Sequence, residues 1–168
     1  MARACDGRFD GNIFEIFFPT IYINSEIVTI GKHFELYVTG YSMLPLLGYG
    51  RDHIIVRRTA KSEDITSRIA MFRAPDRHIV VHRVLRTEGD TVYLQGFGNP
   101  YRGESCRRSD IVGVVDAVRR ESGRCVSCTT RSWRAKEWLW MHLPKIVRRY
   151  ALAIMRRWLD YCKRRDNK

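Results

Sequence analysis

The chain has 168 residues, 45% of them hydrophobic and 29% charged, which allows one domain with a buried core plus an appendage and excludes wholesale disorder. It carries 30 Lys+Arg against 18 Asp+Glu, a net charge of +12, and 12 of those basic residues against 3 acidic ones fall between Arg131 and Lys168. A nearly neutral body with a polycationic tail points to an acidic partner, a membrane surface or nucleic acid, and all four tryptophans (Trp133, Trp138, Trp140, Trp158) lie in that tail.

In chain order, the first residues, MARACDGRFDGN, lack the apolar core of a removable signal peptide. The uncharged run Ile16 to Ser25 is 10 residues with Pro19 inside it, half of the roughly 20 a membrane span needs. A cytoplasmic protein is expected. Phe34 to Thr39 alternates apolar and polar residues, the period of a half-buried strand. Asp52–Arg57, Ile69–Phe72, Ile79–Leu85, Thr91–Gln95 and Ile111–Val118 repeat that β-branched enrichment, separated by Gly, Pro and Asp turn formers such as Ala74-Pro-Asp76 and Gly96 to Gly103. Gly89-Asp90 centres a tight hairpin. The expected fold class is all-β, a barrel or folded sheet over residues 1–122, followed by a basic, Trp-rich helical tail over 123–168.

In that tail Ser132–His142 and Pro144–Arg165 read as helices, with Pro144 suited to a first turn. At about 100° per residue Lys145, Arg148, Arg149, Arg156 and Lys163 share one arc of the second helix. Val147, Tyr150, Ala151, Ile154, Trp158 and Cys162 cover the other. Either the tryptophans and the apolar arc pack onto the body and leave the arginines solvated, or that arc and the arginines attach the protein to the inner face of a membrane.

Five cysteines (Cys5, Cys106, Cys125, Cys128, Cys162) are odd in number and scattered, unlike a disulfide framework. Cys125-Val-Ser-Cys128 lacks the second pair a four-ligand zinc site needs, so it reads as two reduced thiols, and neither a metal nor another cofactor is expected.

The chemistry-bearing stretch is GYSMLPLL, residues 40 to 47. By itself Gly-x-Ser-x-x-Pro is a turn, with Gly40 relaxing the backbone, Pro45 fixing it and Met43 plugging the loop into the core. On a strand, Val80, His82 and Val84 share one face, which sets an imidazole among apolar residues, most simply as a hydrogen-bonded core histidine. Four boxes in order change the weighing: Gly40-Tyr-Ser42-Met43-Leu-Pro45, Val81-His82-Arg83-Val84, Gly96-Phe-Gly-Asn99 and Asp110-Ile-Val-Gly113.

Over roughly residues 14 to 120 this set resembles the serine peptidases that include type I signal peptidases and the self-cleaving domain of LexA-like repressors. The His-Arg-Val box resembles the archaeal and endoplasmic-reticulum branch, in which histidine is the base. Lysine, the base of the other branch, is nearly excluded, because the body holds only Lys32 and Lys61 and neither lies in that strand. The resemblance implies a serine endopeptidase of the leader- or signal-peptide-processing type. Ser42 would be the nucleophile and an oxyanion donor through its N–H, with His82 as base. Gly40 stands where relatives often carry an assisting serine. Phe97 stands where they carry an acid, which leaves Glu104 or Asp110 to replace it. With an ordinary imidazole, activity is expected to fall as pH drops through about 6.5. The competing expectation is a degenerate module of the same fold that holds a peptide without cutting it. The helix-turn-helix of LexA-like repressors has no room before Ser42, so no specific nucleic-acid partner is expected.

Overall fold

The computed structural model describes residues 33–75 and 78–166. Cys5, Pro19, Lys32, Asp76 and the run from Ile16 to Ser25 lie outside the described residues, as does the side chain of Lys163. Eight strands form one antiparallel sheet: β1 (His33–Tyr37), β2 (His53–Arg57), β3 (Ile69–Arg73), β4 (Ile79–Glu88), β5 (Thr91–Gln95), β6 (Glu104–Arg107), β7 (Ile111–Arg119) and β8 (Cys125–Ser127). Two helices follow, α1 (Arg131–His142) and α2 (Lys145–Asp166). The hydrogen-bonded path runs β1-β2-β7-β3-β4-β5-β6 with β8 added on β7, so the ladder is open, with β1 and β6 at its ends.

Pattern explains most of this. In β5 the buried Val92 and Leu94 alternate with half-exposed Thr91, Tyr93 and Gln95, the register of a strand with one face inward. β7 lies between β2 and β3 and is apolar on both faces, Val115 and Val118 joining one core and Val114 the other. The β4–β5 hairpin turns at Gly89, whose φ of +57° favours glycine. Gly113 has a different reason for being glycine: a Cβ there would stand 2.5 Å from the Arg57 carbonyl, so the crossing of β7 over β2 needs a bare backbone.

Two strands escape the apolar pattern. β6, Glu-Ser-Cys-Arg, is an edge strand with only Cys106 partly buried, and β8 is three residues long. The Cys125–Cys128 segment is therefore a strand and its exit, with both thiols unbridged; burial pushes the Cys128 thiol well above its ordinary range. No group of side chains suited to holding a metal occurs among the described residues.

The residues after 122 are built into the body. Trp133, Trp140 and Leu152 are buried in one cluster with Met43, Leu44, Leu47 and Phe97. Glu137, also buried, accepts the Trp133 indole N–H at 2.9 Å and faces the Arg83 guanidinium at 3.9 Å; burial raises its pKa. On α2, Arg148 is 3% exposed, whereas Ile154 is 69%, Tyr150 66% and Trp158 60% exposed. Of the basic arc Arg148 is buried while Lys145, Arg149 and Arg156 stay exposed, and the apolar arc faces largely outward. The reason is that Arg148 and Arg156 find backbone acceptors on the body, the carbonyls of Phe97 (3.3 Å) and Gly98 (3.0 Å).

Candidate active site

Ser42 sits in the turn between β1 and β2, and its neighbours hold it there. Met43, Leu44, Leu46 and Leu47 are all buried, so the loop is plugged into the core at four points. The Leu44–Pro45 peptide is cis. Gly40 does not have a positive φ, and a Cβ there would meet nothing closer than Ser42 Oγ at 3.9 Å, so the expected backbone freedom at Gly40 is not used. Gly50, at φ +65°, makes the left-handed turn instead.

The loop is closed by a residue that no motif marks. Asp52, fully buried, accepts the Gly48 N–H at 2.6 Å and the Arg120 guanidinium. Arg120 also donates to the Leu46 carbonyl at 3.0 Å. This clamp joins the Ser42 loop to the end of β7 across 68 positions of sequence, a separation no local signal spans.

His82 lies on β4, 4% exposed, with its ring centroid 6.0 Å from that of Phe72. Nδ1 stands 3.4 Å from Glu104 Oε2 on β6, an ion-pair distance slightly beyond a hydrogen bond. Neither ring nitrogen has a hydrogen-bond partner. Burial lowers the imidazole pKa below 6.5, and the Glu104 carboxylate offsets part of that. The ring is therefore neutral at pH 7 and able to accept a proton.

Gly96 measures how closely the serine and the histidine converge. A Cβ on Gly96 would lie 2.5 Å from the Ser42 carbonyl oxygen and 2.8 Å from His82 Nε2. Two residues 40 positions apart thus meet around one glycine. Gly98 then donates its N–H to the Ser42 carbonyl at 2.7 Å, and a Cβ on Gly98 would lie 2.4 Å from the Tyr41 carbonyl. The Gly-Phe-Gly stretch is flat because the serine loop lies directly on it.

Phe97, between the two glycines, is fully buried in the core beside Trp140, and its carbonyl accepts the Trp140 indole N–H at 3.0 Å. An acid at position 97 would enter this apolar cluster, whereas Glu104 reaches the imidazole from β6. Asp110 is elsewhere, its carboxylate accepting the Arg107 N–H at 3.2 Å. The Ser42 backbone and the His82 ring thus lie side by side at Gly96 with Glu104 behind the ring, and Asp110 lies apart. Among the described residues no acceptor takes the Ser42 N–H, which leaves it available to an incoming oxygen.

Beside Ser42 opens a cleft of about 790 Å³, floored by Gly98, Asn99 and Pro100 and walled by Arg149, Leu152 and Arg156 of α2. Sequence reasoning gave these arginines no place near the serine. The only hint was the shared arc of Arg149 and Arg156, which says nothing of what the arc faces. No protein-family model matches the chain, and no curated protein matches it.

Proposed function

We propose that the protein is a serine endopeptidase of the signal-peptidase kind, cutting a peptide or protein chain by acyl transfer. The observation that supports this is the convergence at Gly96 of the Ser42 backbone and an unpartnered His82 Nε2, with Glu104 behind the ring. Ser42 Oγ attacks the scissile carbonyl while His82 Nε2 takes its proton. The C–N bond then breaks, and the leaving amine departs with that proton. Water attacks the resulting ester, again giving a proton to His82, which returns it to Ser42 as the acid is released. The Ser42 N–H stabilises the oxyanion in both halves. Glu104 holds the imidazole tautomer with its proton on Nδ1. No cofactor is required.

Ser42→Ala and His82→Ala are expected each to lower cleavage of a peptide library, read by mass spectrometry, by at least about 10³-fold. Wild type cutting no more than these variants would reject the enzyme. A non-cutting peptide-binding module is the alternative. It is favoured by Phe97, an apolar core residue where the resemblance leads one to expect an acid.

The pH profile gives an independent check. Because burial depresses the His82 pKa, the acid limb of kcat/KM is expected to have its midpoint below 6.5. Glu104 acts in the opposite direction, raising that pKa, so Glu104→Gln should move the limb to still lower pH while reducing the plateau rate. A limb moved to higher pH, or a flat profile, would remove Glu104 or His82 from these roles.

The same protein is read as a peripheral one, attached to the inner face of the cell membrane by the outward face of α2. No helix among the described residues is long and apolar enough to cross a membrane. Ile146, Tyr150, Ile154, Trp158 and Tyr161 are each at least 60% exposed on a helix that also carries Lys145, Arg149 and Arg157. An apolar, aromatic stripe flanked by cations fits an anionic lipid surface, each basic residue near it contributing about 1 kcal/mol. The full-length variant Ile154→Asp/Trp158→Asp is expected to lose most of its flotation with phosphatidylglycerol vesicles. Flotation equal to wild type would dismiss the attachment.

A further inference from the structure

Several arginines of the body are matched to carboxylates. Arg57 pairs with Glu63 and Asp116, Arg68 with Asp116, Arg119 with Glu35 and Arg120 with Asp52. The cleft beside Ser42 is different. Arg102, Arg149 and Arg156 all line it, no carboxylate does, and none of the three forms an ion pair among the described residues. Arg148, behind the same wall, is buried with its Nε unpartnered, and burial alone acts on its pKa, with no acid to offset it. Three guanidinium groups lining one cavity without counter-charge, with a fourth on α2 behind them, raise its local potential and attract an anion.

We propose that this cleft receives an acidic peptide segment, with Arg149 and Arg156 pairing with carboxylates close to the bond presented to Ser42. The two arginines are seven residues apart on α2, two turns of helix and roughly 10 Å along its axis. About three residues of peptide in the polyproline II conformation cover that distance at ~3.1 Å each, and its threefold repeat sets side chains three apart on one face. Two acidic side chains about three positions apart therefore engage both arginines, and one engages only half the site. Leu152, Ala153, Pro100 and Tyr101 supply apolar surface between the charges, which suits a peptide of mixed character better than a run of phosphates. Arg156 already donates to the Gly98 carbonyl, so its guanidinium is held toward the cleft with other N–H groups free for a carboxylate.

The cutting rests on the endopeptidase reading, but the binding does not, so the two are tested apart. Full-length Ser42→Ala protein is titrated against fluorescein-labelled decapeptides that carry, three positions apart, two glutamates, two glutamines or two lysines. The glutamate peptide is expected to bind roughly tenfold tighter than the glutamine one and to weaken as salt rises. Arg149→Gln/Arg156→Gln in the same background should abolish that difference, whereas Lys61→Gln/Arg124→Gln, which removes two charges away from the cleft, should retain it. In parallel, active chain is given a digest of mixed cellular peptides, and residues flanking each new end are read by mass spectrometry. Enrichment of Asp and Glu there supports the proposal. Acidic preference in binding without any cleavage retains the cleft's specificity and rejects only the peptidase. Equal affinity for the glutamate and glutamine peptides, cleavage without acidic enrichment, or a preference unchanged by the arginine variant would overturn it, as would tighter binding to a labelled oligonucleotide of equal charge than to the glutamate peptide.

Discussion

Gly96→Ala is expected to lower peptide hydrolysis by about 10²-fold or more, without unfolding the protein. The added methyl would have to occupy a point 2.5 Å from the Ser42 carbonyl and 2.8 Å from His82 Nε2, closer than any real Cβ approaches either group. One neighbour is backbone held by the Gly98 N–H, and the other is a ring wedged beside Phe72, so neither yields freely. Relief comes only by moving the serine loop and the imidazole apart, and a displacement of about 1 Å at reacting groups costs on the order of 10²-fold in rate. Gly48→Ala is the matched control. The atoms nearest its Cβ belong to the guanidinium end of Arg51, 2.7 Å away on a flexible, exposed side chain that can swing aside. Hydrolysis by Gly96→Ala at wild-type rate would mean that the proximity of Ser42 and His82 has no part in the chemistry.

The second large effect is on stability. Trp140→Ala should destabilise the fold by about 3–5 kcal/mol, since it empties an indole-sized volume in the core and removes a donor from the Phe97 carbonyl. Trp158→Ala, at a residue 60% exposed, should change stability by less than about 0.5 kcal/mol. Urea denaturation of the two variants separates them directly. If Trp140→Ala were as mild as Trp158→Ala, α1 would not belong to the core. By the same packing, a chain cut after Gly123 would lose Trp133, Trp140 and Leu152 from the cluster that also holds Met43 and Leu44 beside the serine.

Most strands announced themselves: β1 and β5 alternate as the pleat imposes, and β2, β3, β4 and β7 show as short apolar, mostly β-branched runs. β6 did not. An edge strand with a single half-buried Cys106 has no reason to alternate, so Glu104 stood beside Asp110 as a candidate acid with no strand to place it. Ser42 and His82 were legible because motif chemistry is local, whereas the Asp52–Arg120 clamp joins distant segments through a buried charge pair that leaves no pattern in either. The inward turn of the α2 arginines was hidden for a related reason. Helical periodicity defines two faces, and the rule that the apolar one is buried fails when the body offers free carbonyls for guanidinium groups to meet.

The Phe97 carbonyl, which receives both the Trp140 indole and Arg148, also orders events during translation. The ribosome makes the serine, the histidine and the glycine segment first, and the two donors that brace that segment emerge 43 and 51 residues later. A nascent chain therefore carries Ser42, His82 and the glycine segment before it carries the two donors that brace that segment.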